Sequence, residues 1–405
     1  MRDFHGMKYR RQILILLIVL LPIGYGATAQ DMVDIFGYFE TQYMGTALDQ
    51  EYLALYSNKL RIDMNSDVSD NISFTANFNY LTYHGKTQWN ILDFLPVRVT
   101  ADIPAEMRGF YMLPFEDQHY LDNANVRFAF EHFDLTAGKQ QISLGTGYVW
   151  NPVDVFNIKD VLDPTYEQPG HNALRIDVPI GTRYTLSALY APDDSWKASS
   201  KLARFKGRIS HFDYSLIAIE RAWRWHDYSR FDMTRFNFTE LSERRRLYGV
   251  TTAGELLGLG VWAEYARNDM EQTDNFESLV AGTDYTFDFQ TYVMAEYFHN
   301  SLGKTDDADY DINDWMRLLA GEQKTICRDQ LYLFIQHPLT DFIQFGTSGI
   351  LCISDGSLAL VPTLNYSYSE NVELMAYLNV NLGADGTAYS QSQGSGGLLR
   401  ARIYF

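Results

Sequence analysis

Three observations predict that this chain of 405 residues is all-β, a transmembrane antiparallel up-and-down sheet closed into a barrel. The N-terminus has the layout of a secretory signal: Lys8, Arg10 and Arg11, an apolar run from Ile13 to Leu21, then Ala27-Thr28-Ala29 before Gln30. That run is too short to cross a bilayer as a helix, which takes about 20 residues. Past Gln30 the chain breaks into segments that alternate apolar with polar, separated by turn residues. The last segment, Leu399-Arg400-Ala401-Arg402-Ile403-Tyr404-Phe405, alternates in the same way and ends on an aromatic residue.

Residues 1–29 are therefore read as a signal peptide cleaved after Ala29, and 30–405 as one barrel. Strand one is expected to begin near Val33-Asp34-Ile35-Phe36, which leaves no room for an N-terminal plug domain. In Ile72-Phe74-Ala76-Phe78-Tyr80 and Leu374-Ala376-Leu378-Val380-Leu382 the apolar set would face lipid and the interleaved Ser, Thr, Asn and Glu the lumen. A secreted soluble sandwich would show the same period with the faces reversed; the signal segment and the terminal aromatic favour the membrane.

The connections fall into two classes. Tight turns lie at 69–71, 132–134, 180–181, 211–213, 256–258, 286–288, 337–340 and 368–371. Longer loops lie near 44–53, 84–119, 145–172, 191–197, 225–243, 269–275, 300–326, 353–357 and 383–396. Eight turns alternating with nine loops make eighteen strands, with sixteen the alternative count, and put both termini on the tight-turn side. Asp309, Asp311 or Asn313 is placed to cap a short helix through Trp315–Leu319, stopped at Gly321. Ser390 to Gly397 reads as a mobile external loop.

The whole chain carries 33 basic and 51 acidic residues; without Arg2, Lys8, Arg10, Arg11 and Asp3 these become 29 and 50, a net charge of about −21, which argues against nucleic acid. Aromatics at 15% suit a barrel with rings at both membrane interfaces. No cofactor is expected. The histidines and cysteines lack metal-ligand spacing, no Ser–His pair marks a hydrolase, and Gly145-Thr146-Gly147 lacks the third glycine of a nucleotide loop. The acidic run Asp306–Asn313 lacks the loop glycine and terminal Glu of a calcium loop and reads as solvated.

The most distinctive stretch runs Gly138-Lys139-Gln140-Gln141-Ile142-Ser143-Leu144-Gly145-Thr146-Gly147-Tyr148-Val149-Trp150-Asn151-Pro152-Val153-Asp154, then to Asp163-Pro164 and Gln168-Pro169-Gly170. It resembles a group of porin-like outer-membrane barrels of Gram-negative bacteria that includes alginate-export-like channels, in which a Gly-(Arg/Lys)-Gln strand precedes Trp-Gly and then Asn-Pro-x-Asp. Leu144 stands where those proteins often have Trp, and Lys139 where Arg is common. The resemblance implies an outer-membrane location. It also implies insertion by machinery that reads the Phe405 strand, and contact with lipid and lipopolysaccharide. It allows two functions: passive diffusion of small polar or charged solutes, or export or surface attachment of polysaccharide.

In a channel the 145–170 segment is expected to fold inward as a constriction, with Gly145 and Gly147 supplying positive φ where it leaves the wall and Pro152 stiffening it. Trp150, Asn151 and Asp154 complete that loop. Alternation places Lys139, Arg175, Arg183, Arg204, Lys206 and Arg208 on a basic lumen wall, and Glu220, Glu264, Glu296 and Glu373 on an acidic side opposite, an arrangement that sets a transverse field. A turn centred between Leu339 and Thr340 would oppose Cys327 and Cys352 directly across one hairpin, close enough for a disulfide.

Overall fold

A computed structural model describes residues 33–48, 51–159, 162 and 165–405. The signal segment lies outside them, as do Asp163 and Pro164. Twenty strands follow in order: β1 (Val33–Ala47), β2 (Tyr52–Ser69), β3 (Ile72–Gly85), β4 (Gln88–Asn90), β5 (Met112–Pro114), β6 (Gln118–Ala129), β7 (Asp134–Gln141), β8 (Gly170–Ile180), β9 (Tyr184–Ala191) and β10 (Ser200–Ile209). Then come β11 (Phe212–Asp232), β12 (Asn237–Leu256), β13 (Leu259–Met270), β14 (Phe276–Thr286), β15 (Tyr292–Asn300), β16 (Asp329–Pro338), β17 (Ile343–Cys352), β18 (Leu358–Ser369), β19 (Val372–Asn381) and β20 (Ser395–Tyr404). Except for β4 and β5, which pair with each other in one loop, all are wall strands, each antiparallel to its neighbours, and β20 closes the wall on β1. The barrel has eighteen strands.

Alternation builds the wall as expected. Leu374, Leu378 and Leu382 are exposed on the outer face, while Asn379 and Asn381 take the inward parity of β19. The tight turns sit where turn chemistry places them: Leu257 and Gly258, for example, adopt φ of 55° and 80° between β12 and β13. Phe405 closes the tight-turn end, exchanging backbone hydrogen bonds of 3.1 Å with Gly37.

Two expectations about the loops are corrected. Residues 225–243 are mostly strand, because β11 and β12 stay paired to Asp232 and Asn237 with one irregularity between Asp227 and Phe231. The expected external loop Ser390–Gly397 is not one: Ser390 is inaccessible, Gln391–Gln393 form a short helical turn and Ser395 begins β20, while the preceding Ala388 and Tyr389 join an internal apolar cluster. The helix forms at Ile312–Leu319, capped by Asp311 and Asp314 in a reciprocal box, and Gly321 follows with φ 67°. This is the expected helix with Asp311 as its cap, and it packs Trp315 and Met316 inside the barrel.

The core of the molecule is consequently inside the barrel. One cluster joins Leu92 and Tyr111 of the 86–117 loop, Trp150, Trp315 and Tyr389 to wall residues Trp262, Met294 and Phe298. A second joins Ile142, Leu144 and Val153 to Leu189, Leu202, Ile217 and Leu247. A wall around a wide watery lumen needs polar inward residues; here part of that face is apolar because loops cover it.

Candidate functional site

Between β7 and β8 the chain leaves the wall, and the described residues of 142–169 lie inside the barrel as a strap. Its departure is set by Gly145, whose φ is 90° and whose Cα lies against the Glu264 carboxylate, leaving no room for a side chain. Gly147 does not adopt a positive φ. Glycine is needed there because a Cβ would strike the carbonyl of Trp150.

Two glutamates of the far wall receive the strap. Glu264, on β13, accepts from the backbone N–H groups of Thr146 and Gly147, the latter at 2.6 Å, and more distantly from Val153 at 3.5 Å. Glu296, on β15, accepts from Tyr148 at 2.7 Å, Val149 at 3.0 Å and Trp150 at 2.8 Å, and from the indole of Trp262 at 2.7 Å. An irregular segment away from the sheet has no ladder for its N–H groups, and here the wall supplies the acceptors. Trp150 then lies flat on Phe298, ring centroids 5.2 Å apart. Asp154 turns the strap, its carboxylate accepting from Phe156 at 3.0 Å and Asn157 at 3.1 Å. The Asn151 carbonyl accepts from Asp154 N–H at 3.1 Å after Pro152. Lys324, from the 301–328 loop, donates to the carbonyls of Asn151 and Asp154. Burial pushes its ammonium down to about 8, against the pull of Asp154. Arg221 of β11 donates to the Val155 carbonyl and covers the Phe156 ring.

The other end of the strap is held by charge. Glu167 bonds Lys59 at 2.6 Å and Arg61 at 3.2 Å on β2, Tyr38 at 2.5 Å on β1, and Arg402 at 3.3 Å on β20. Burial alone would raise this carboxyl, but Lys59 and the other donors hold it below its ordinary value. The strap thus touches walls on opposite sides of the barrel, from β11–β15 to β20–β2.

The expected lumen charges separate into several groups. Arg204, Lys206 and Arg208 share the inward parity of buried Leu202, and Arg175 that of Ala173. Arg175 is paired with Asp177 at 2.9 Å, and Arg208 lies 4.0 Å from Asp213. Arg183 is not on a wall; it sits in the turn between β8 and β9, where the strands stop one residue short of its expected place. Lys139 is out of phase with Arg175: it opposes Ala124 and Asn172, and its ammonium turns back to the Leu121 carbonyl at 2.5 Å. Glu220 has the outward parity, since Ile217 and Ile219 on the same strand are the buried inward residues. It pairs with Lys201 at 3.1 Å and Arg246 at 3.0 Å. Glu373 takes the inward parity and accepts from Tyr404 at 2.9 Å near the tight-turn end. Glu264 and Glu296 face inward, but their charges are spent on the strap rather than on an open passage.

Cys327 and Cys352 are joined by a disulfide, Cα atoms 6.1 Å apart. The expected reason for their proximity is incorrect. The hairpin loop is Leu339–Phe342, which opposes Cys352 to Gln330, and Cys327 lies outside the ladder in the 301–328 loop. The bond therefore ties that loop to the rim of β17. Asp355 is adjacent, but with both sulfurs bonded to each other the trio offers no thiolate to a metal.

Glu167, Lys59, Arg61 and Arg402 were not singled out from the sequence. The alternation that marked Arg204, Lys206 and Arg208 also holds for Lys59 with Arg61 and for Arg400 with Arg402, two apart on one face. No sequence signal identifies Lys324.

No family model and no curated protein matches this chain. Among solved structures, it is similar to a loop L8 deletion mutant of OmpT, an outer membrane protein of Vibrio cholerae. The identity is 12%, covering 92% of this chain and 99% of that one, with a TM-score of 0.46. It is also similar to a mutant of the Rhodopseudomonas blastica porin, at 12% identity over 92% of this chain and 100% of the other, TM-score 0.48.

Proposed function

We propose that this protein is an outer-membrane channel through which small polar solutes diffuse passively, and that the 142–169 strap is its constriction. The observation that carries this reading is the anchoring of one irregular segment to opposite inner walls. A segment placed only to cap the barrel mouth would need no acceptors on the inward faces of β13 and β15. The inward Arg204, Lys206 and Arg208 give one side of the passage an excess of positive charge that Asp177 and Asp213 only partly offset. The strap's carboxylate contacts with backbone N–H groups keep it fixed, so the constriction is static rather than a lid.

Conductance of the refolded barrel in planar bilayers tests this directly. Replacing residues 150–159 by a short Gly-Ser link should raise single-channel conductance several-fold. A folded deletion variant with unchanged conductance would place the strap outside the ion path.

A further inference from the structure

The Glu167 end of the strap has the form of a carboxylate receptor. Lys59 and Arg61 donate to one oxygen of Glu167, at 2.6 and 3.2 Å, and the Tyr38 hydroxyl and Arg402 donate to the other, at 2.5 and 3.3 Å. Four donors, three of them cationic, thus converge on the two oxygens of one planar carboxylate, a pattern that neither a spherical anion nor a neutral polar group matches. All four donors come from the wall, on the adjacent strands β20, β1 and β2. The ladder fixes their places: Tyr38 opposes Arg61, and Glu40 opposes both Lys59 and Arg402.

Other carboxylates hold the cradle from behind. Glu40 lies 2.6 Å from Arg402 and 3.7 Å from Arg400, Asp63 bonds Arg61 at 2.9 Å, and Asp122 lies 4.0 Å from Arg61. These three belong to the wall and their side chains are buried. Glu167 differs on both counts: it belongs to the strap, and its side chain is 29% exposed. Lys59, Arg61 and Arg402 are 14%, 17% and 14% exposed with Glu167 in place, so water in the lumen already reaches them. Among the described residues, the wall groups in contact here are four cations, Lys59, Arg61, Arg400 and Arg402, against three carboxylates. The wall alone therefore carries one uncompensated positive charge, and Glu167 is the group that neutralises it.

We infer that the cradle of Tyr38, Lys59, Arg61 and Arg402 binds the carboxylate of a small organic acid passing through the barrel, and that Glu167 is a tethered competitor which such a solute displaces. Only the Glu167 side chain has to rotate; the backbone of the strap stays on Glu264 and Glu296. A tethered group competes at an effective concentration of at least about millimolar, so the solute is held weakly, as a site on a passage must hold it if the solute is to leave. The inference rests on the channel reading for the solute's route, but the cradle itself is testable apart from it.

The experiment compares gluconate with glucose, close in size and differing chiefly in charge, by calorimetric titration of the refolded barrel in detergent and by block of ion current in planar bilayers. Glu167→Ala removes the competitor and leaves the four donors. Gluconate should bind this variant saturably and at least tenfold more tightly than it binds wild type, and should reduce the ion current with the same concentration dependence. Glucose should bind neither protein. Adding Lys59→Met to Glu167→Ala should remove the gain in protein that still shows heat-modifiable migration on gels, and Arg402→Gln replaces Lys59→Met if that variant does not fold. Three results would overturn the cradle: gluconate binding to folded Glu167→Ala no tighter than to wild type, a gain that survives loss of the cationic donor, or equal binding of glucose. Conductance without gluconate binding to Glu167→Ala would refute the cradle and leave the channel standing. Saturable gluconate binding without conductance would refute the channel and leave the cradle.

Discussion

The two ends of the strap are anchored by opposite chemistries. At β13 and β15 the wall supplies the carboxylates, Glu264 and Glu296, and the strap supplies backbone N–H groups. At β20, β1 and β2 the strap supplies the carboxylate, Glu167, and the wall supplies Lys59, Arg61, Arg402 and the Tyr38 hydroxyl. The first end uses donors that every residue has, so it fixes backbone shape and depends on side chains only where they must be absent, as at Gly145 and Gly147. The second depends on one side chain meeting three cations. Hydrogen bonds to buried carboxylates resist salt, whereas attraction among partly exposed charges is screened. One end is mounted through backbone N–H groups on buried carboxylates and the other is tied by ion pairs at Glu167.

The largest effect should come from destroying the mount. The double variant Glu264→Ala, Glu296→Ala leaves up to six strap N–H groups and the Trp262 indole without acceptors. It should raise conductance several-fold and lower stability by about 3–5 kcal/mol, read by channel recording and by denaturant unfolding. Unchanged conductance in folded protein would show that the strap is held by its apolar contacts alone.

Adding a side chain at the exit should act through the same mount with a smaller amplitude. Gly145→Ala meets both a positive φ and the Glu264 carboxylate, and should destabilise the protein by about 1–3 kcal/mol. Ala at the open turn residue Gly181, whose φ is 63° with free space around it, should cost less.

At the tie, Glu167→Gln should raise conductance modestly and abolish its dependence on acid. The carboxyl is held below its ordinary value in the folded protein, so its contribution is complete above the unfolded value of about 4.3 and disappears as pH falls through the lower folded value. Wild-type conductance should therefore increase as pH is lowered through that range, and the Gln variant should lack this step. An identical acid response in both would assign the transition to other carboxylates.

Smaller still is the effect of the inward basic residues on ion choice. Changing Arg204, Lys206 and Arg208 together to Glu should shift reversal potential toward cation preference without altering the strap. No shift would mean that Asp177 and Asp213 already neutralise the row. Reducing the Cys327–Cys352 bond should have the least influence on conductance, because it ties the 301–328 loop to the rim of β17 and lies off the strap. A large change on reduction would show that this loop, through Lys324, governs the strap's position.

The strands were legible because their signal is local. Alternation in 374–382 assigns outer and inner faces from neighbouring residues alone, and eight short turns against nine longer loops narrow the strand number to eighteen or sixteen. The strap was legible as an unusual segment through its glycines and prolines, but its contacts were not, since Glu264 and Glu296 lie more than a hundred residues away and look like any other inward carboxylate. Small errors of phase had large effects: one residue moved Glu220 to the lipid side and Lys139 out of the Arg175 row, and the true hairpin loop at 339–342 took Cys327 out of register with Cys352. The period of a strand is two, so any slip of one reverses a side chain.

By itself, then, the sequence determined a wall of eighteen or sixteen strands with alternating faces, short turns at one end, long loops at the other, and a stiff segment leaving β7. The tertiary structure alone decided that the 86–117, 301–328 and 382–394 loops also send residues inward, that part of the lumen face is apolar core, and that acidic residues of the wall hold backbone instead of facing water. The reason lies in range: a strand's face is set by the pleat of its own few residues, whereas the use of a carboxylate is set by whichever donor the closed barrel brings across to it.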